Sequence, residues 1–161
     1  MSFPDCGIYK TAHSLKGKES AVGAGILIYF HNHSSQGPPL VLLPKANVHN
    51  HWSFSDKGYL VDTDNAEAFI EGLTPLPSQG LYVTAQPVTL GETELPARLL
   101  VQLGYDASAR AIVFPARWEE NGLVFPPRGF RVDLETLSGV FAPADFQVPG
   151  RDTRQEERML H

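Results

Sequence analysis

Cysteine is almost missing from this chain: Cys6 stands alone in 161 residues. No disulfide can form within it, so stability must come from a packed interior, and a reducing compartment is the simple reading. Basic charge is also short, with 13 Lys and Arg against 18 Asp and Glu and a net charge of −5. A surface for a phosphate backbone needs the opposite balance, which disfavours nucleic acid as a partner. Long apolar runs are lacking too. The longest strongly apolar run, residues 26–30, is far below a membrane span, so no membrane partner is expected. The opening MSFPDCGIYKTAH has no basic segment leading into an apolar one and does not read as a secretory leader. Together these absences describe a cytoplasmic protein.

Catalytic signatures are equally scarce. There is no G-x-S-x-G elbow and no G-x-G-x-x-G turn. Gly17-Lys18 has Ala12 where a phosphate loop needs a glycine, and Glu19 where it needs Ser or Thr. Gly25, His31 and His33 resemble the opening of the first cupin motif, but Gly37 and Pro38 stand where its glutamate should be.

Internal repetition is what the chain does have. GIYKTA at 7–12 returns as GLYVTA at 80–85, an offset of 73 that also carries Glu19 onto Glu92 and residues 26–28 onto 99–101. Residues 41–62 then lie over 112–133 without a gap at an offset of 71. Pro44/Pro115, Asn50/Asn121, Phe54/Phe125, Gly58/Gly129 and Asp62/Asp133 are identical there. The slip of two residues falls in a turn, where an indel interrupts no ladder. The chain therefore reads as a tandem duplication, with one repeat at 1–78, a second at 79–149 and a polar tail at 150–161.

With 14 Gly, 13 Pro and 42% hydrophobic residues, each unit suits short strands and turns. Strands are expected near 7–12, 25–32, 39–45, 51–55 and 58–62, then a helical turn near 64–72 with Ala66, Phe69, Ile70 and Leu73 as its apolar stripe. Asn121-Gly122 signals a hairpin, and Asp62 and Asp133 can cap the helical turn of each repeat. Five short strands, a long first loop and a late helical turn resemble the plan of an SH3-like barrel. An OB-like barrel, or two sheets sharing one core, would give a similar pattern. The fold class expected is all-β.

Residues shared by both repeats should hold the fold, and residues private to one repeat are better candidates for function. Five of six histidines are private to the first repeat, and His31/His33 and His49/His51 form two His-x-His pairs. Residues two apart on a strand share a face, which suits zinc or another transition metal. The expected register nonetheless sets His31 beside Val41 and His51 beside Pro44, too far apart for one metal. The leading expectation is thus a non-enzymatic binding or scaffold protein with a protein or peptide partner and no cofactor; a metalloprotein is the alternative. Trp118, Trp52, Tyr9, Tyr82, Arg117 and Arg128 are candidate ligand-binding residues. Arg131 joins the two arginines as a candidate anion patch. Trp118 shares strand parity with Ile112 and Phe114 and is expected in the core, as are Phe54 and Phe125.

Overall fold

A computed structural model of the chain describes residues 3–32 and 37–144. The first half contains β1 (Gly7–Lys10), β2 (Leu27–His31), β3 (Leu40–Leu42), β4 (Pro44–Val48), β5 (His51–Phe54), β6 (Tyr59–Leu60), α1 (Glu67–Glu71) and β7 (Thr74–Pro75). The second contains β8 (Gly80–Thr84), β9 (Val88–Leu90), β10 (Thr93–Leu95), β11 (Leu100–Tyr105), β12 (Ala111–Pro115), β13 (Arg117–Glu119), β14 (Gly122–Val124), β15 (Phe130–Val132), α2 (Leu134–Val140) and β16 (Phe141–Pro143).

The strands make two five-stranded antiparallel sheets, β6-β3-β2-β1-β7 and β15-β12-β11-β8-β16, and three separate hairpins, β4-β5, β9-β10 and β13-β14. Element for element, the two large sheets have the same order. No sheet among the described residues closes into a barrel, which corrects the expected barrel: β6 and β7 are free edges of the first sheet, β15 and β16 of the second. The cause is the hairpin in each half. It leaves the large sheet as a two-stranded ribbon of its own instead of bridging its edges. The short edge strands β7 and β16 come after the helices and carry no alternating pattern long enough to read.

Register corrects the repeat alignment in one place. Phe30 pairs with Val41 and Val41 with Tyr59, while Leu103 pairs with Val113 and Val113 with Phe130. Corresponding residues therefore differ by 73 on β2/β11, by 72 on β3/β12 and by 71 on β6/β15. The second lost residue sits in a register shift between Pro44 and Ala46, a bulge in β4. Pro44 and Pro115 are consequently not equivalent: Pro44 pairs with Phe54, and Pro115 with Val101.

Other shared residues do occupy matching places. A Cβ on Gly58 would lie 3.0 Å from the Val41 carbonyl oxygen, and one on Gly129 2.5 Å from that of Val113. Either site admits only glycine without a backbone shift. Thr11 donates its hydroxyl to the Gly23 carbonyl (2.8 Å) and accepts from Ile26 N–H (3.1 Å). Thr84 does the same with Pro96 (2.7 Å) and Leu99 (2.8 Å). Both threonines are buried, and each ties its long loop back onto the first strand of its half. Asp133 caps α2 by accepting from Thr136 N–H at 2.7 Å. Asp62 caps only a turn, at Asp64, because α1 starts five residues later, at Glu67.

Two cores result. One lies between the inner face of the first sheet (Tyr9, Ile28, Phe30, Val41), the loop residues Leu15 and Val22, and Phe69 and Ile70 of α1. The other spans the halves: Ile8, Leu27 and Leu76 join Leu90, Leu95, Val101, Leu103, Tyr105, Val113, Leu137 and Phe141. Phe54 and Phe125 are half-buried, not core: Phe54 belongs to a ribbon that only leans on the sheet, and Phe125 follows directly after one. Among the described residues no helix is long and apolar enough to cross a membrane.

The threonine staple is open to a direct test. Thr84→Val keeps the shape but leaves a buried carbonyl and N–H without partners, and urea unfolding should show a loss of about 1–3 kcal/mol. Thr84→Ser, which keeps the hydroxyl, should recover most of it.

Candidate functional site

Ile8 and Tyr29 are paired on β1 and β2, so both side chains leave the same face of the first sheet, opposite to Tyr9 and Ile28. That outer face is not left bare. The β4–β5 ribbon folds over it, with Phe54 set against Tyr29 at a ring-centroid distance of 5.6 Å. Between ribbon, sheet and the segment joining the halves lies an open groove of about 510 Å³. Tyr29, Trp52 and Phe54 give it aromatic walls, Ile8 an apolar floor, and Cys6, His51, Ser78 and Gln79 a polar rim. Concave sites with aromatic walls and a few placed polar groups are the usual form of a binding site.

Hydrogen bonds hold these walls rigidly. The Gln79 amide copies a strand partner: it accepts from Trp52 N–H (2.9 Å) and donates to Trp52 C=O (2.8 Å). The Trp52 indole N–H donates to the Tyr105 carbonyl at 2.7 Å. At the ribbon tip, Asn50 donates to the Gln102 side chain (3.1 Å), which donates to the His49 carbonyl (2.6 Å). Room for that tip depends on Gly104, where a Cβ would stand 2.9 Å from the Asn50 carbonyl oxygen. The joining segment is pinned by two phenols, Tyr105 donating to Pro77 C=O (2.6 Å) and Tyr82 to Ser78 C=O (2.6 Å). Burial raises both pKa values above the ordinary phenol value, that of Tyr105 the more strongly, helped by Tyr82 nearby.

Of the residues singled out in the sequence, Trp52 and His51 line the groove. Tyr9 is buried in the inner core, its hydroxyl on Asp5 C=O at 2.8 Å, and burial raises its pKa. Tyr82 lies behind the groove rim, as the anchor of Ser78. Arg117 sits on β13 and pairs with Glu119 at 2.9 Å, whereas Arg131 lines a shallow cleft with Lys10 and Arg110. Arg128 is exposed in the preceding loop. The three arginines are thus spread over a ribbon, a loop and a cleft.

Trp118 corrects its expectation outright. It is 80 % exposed, because the chain leaves β12 at Pro115 and enters the separate β13–β14 ribbon, so parity with Ile112 and Phe114 no longer applies. The ribbon turn is Glu120-Asn121, one residue before the expected Asn121-Gly122, with Gly122 opening β14 at a φ of 123°.

The histidine pairs also shift by register. His31 pairs with Leu40 rather than Val41, and its Nδ1 lies 4.0 Å from the Cys6 sulfur. His51 pairs with Val48, because the β4–β5 turn is His49-Asn50, both at positive φ. His33 lies outside the described residues. Among the described residues, no three His, Cys, Asp or Glu side chains gather closely enough to hold a metal ion.

Tyr29, Phe54, Ile8 and Gln79 were missed as site residues. The first three carry only the alternating apolar signal of a strand, and Gln79 carries no signal at all. Comparison with protein-family models, curated proteins and solved structures finds no match to this chain.

The buried phenols set an alkaline limit. A pKa raised on folding contributes stability that is present below the unfolded value near 10 and is lost as pH climbs through the folded value. Melting temperature should therefore fall above about pH 10. Tyr105→Phe should flatten that fall while lowering stability at pH 7, since Pro77 C=O then lacks its donor.

Proposed function

We propose that the chain is a binding protein built from two copies of one SH3-like unit, at 1–78 and 79–149, whose aromatic groove seats an extended segment of protein. The groove itself is the observation that carries this reading: Tyr29, Trp52 and Phe54 around about 510 Å³ with a polar rim. Flat aromatic walls accept apolar, prolyl or aromatic side chains with little loss of entropy, and rim groups then hydrogen-bond a peptide backbone. Such walls dominate the energetics of peptide contacts. The lone thiol of Cys6 suits a reducing compartment such as the cytoplasm.

The duplication draws support from the matched strand orders and from the twin threonine staples and tyrosine anchors, each at an offset of 73. Peptides carrying single Trp, Leu or Pro residues, titrated against isotope-labelled protein, test the groove. Binders should shift the Trp52 indole signal with dissociation constants at or below about 1 mM, and Ser53→Arg on the exposed groove wall should abolish the shift. Shifts confined to other surfaces, or none at that concentration, would reject the reading.

A further inference from the structure

The β13–β14 ribbon is the second half's counterpart of β4–β5, yet it carries two exposed large apolar side chains. Trp118 is 80 % exposed, and its cross-strand partner Leu123 is 45 % exposed. In the first half the same ribbon is seated, its tip on Gln102 and Gly104 of β11. By the offset of 73, the residues standing at those two positions in the first half are Tyr29 and His31 of β2. Tyr29 lines the groove, and His31 adjoins it through Cys6. The groove is thus the first half's version of the surface that already receives a ribbon in the second half. It is also continuous with that interface, since Trp52 and Gln79 belong to both.

We infer that the groove of one chain receives the β13–β14 ribbon of a second copy of this chain, Trp118 entering between Tyr29, Trp52 and Phe54. The inference rests on the groove being a seat for protein. His31 replaces Gly104, so the ribbon tip stands further from the sheet than Asn50 does, and the opening takes a side chain instead of backbone. Glu120 takes the tip position of His49, and the groove lining carries neither Asp nor Glu to repel it. Reciprocal exchange uses both ribbons and both grooves and closes a two-fold dimer; one-way seating would leave an open, growing chain.

Sedimentation of the full chain from about 1 to about 100 μM tests this. A reversible dimer is expected. Trp118→Ser, at an exposed position that folding does not need, should raise its dissociation constant at least about tenfold. Ser53→Arg should do the same from the groove side. Mixing the two variants should yield a heterodimer that neither forms alone, because one ribbon and one groove remain intact. A dimer indifferent to both substitutions overturns the inference. So does a folded monomer throughout: if peptides still shift Trp52, the dimer alone is rejected, and if they do not, the groove reading falls with it.

Discussion

One threonine hydroxyl in each half supplies the constraint on which the rest depends. Thr11 and Thr84 each donate to one carbonyl and accept from one N–H across a loop of more than ten residues. Their backbones add a second pair of bonds, Thr11 N–H to Ile26 C=O and Gly25 N–H to Thr11 C=O, mirrored by Thr84, Leu99 and Arg98. Closing a loop of that length costs entropy, and a buried hydroxyl with both roles filled offsets it locally. Once closed, the loop delivers Leu15 and Val22, or Leu90 and Leu95, into the core beside it. The neighbouring tyrosine of the same GxYxTA motif anchors the chain four residues upstream, Tyr9 on Asp5 and Tyr82 on Ser78.

The two halves share this frame but not their surroundings. The first sheet is covered on both faces, by its own core within and by the ribbon and second half without. The second has its outer face partly covered by the His49-Asn50 tip. The first half keeps an open aromatic groove, and the second carries Trp118 exposed on its ribbon. Fully burying a tryptophan removes about 150–250 Å² from water, roughly 4–6 kcal/mol at 25 cal/mol/Å². That is a large sum to leave exposed on a domain whose whole stability is of order 10 kcal/mol.

Much of this was legible in the residues. Order and spacing of GxYxTA and Gly58/Gly129 marked equivalent places because each residue has a backbone duty: a staple, an anchor, a close approach. Such duties demand particular chemistry at a particular spot, so they leave identities behind. The bulge at Pro44–Ala46 left none, since one added residue beside a shared proline can be aligned away. Asn50 looked like a turn residue and is one, but its seat on Gln102 joins residues 52 positions apart.

By itself, the sequence determined an all-β chain of short strands with one motif used twice, because strand period, turn residues and hydrogen-bonding side chains act over a few residues. Tertiary structure alone decided where each hairpin goes. Whether a ribbon stays in its sheet or folds over it depends on what stands opposite: Gly104 admits one ribbon tip, while the other ribbon leaves Trp118 80 % exposed. For that reason Trp52 and Trp118, on corresponding ribbons of two like units, end in opposite environments, one in a groove wall and one in water. Strand parity cannot distinguish them, because it fixes which side chains share a face and says nothing of what that face meets.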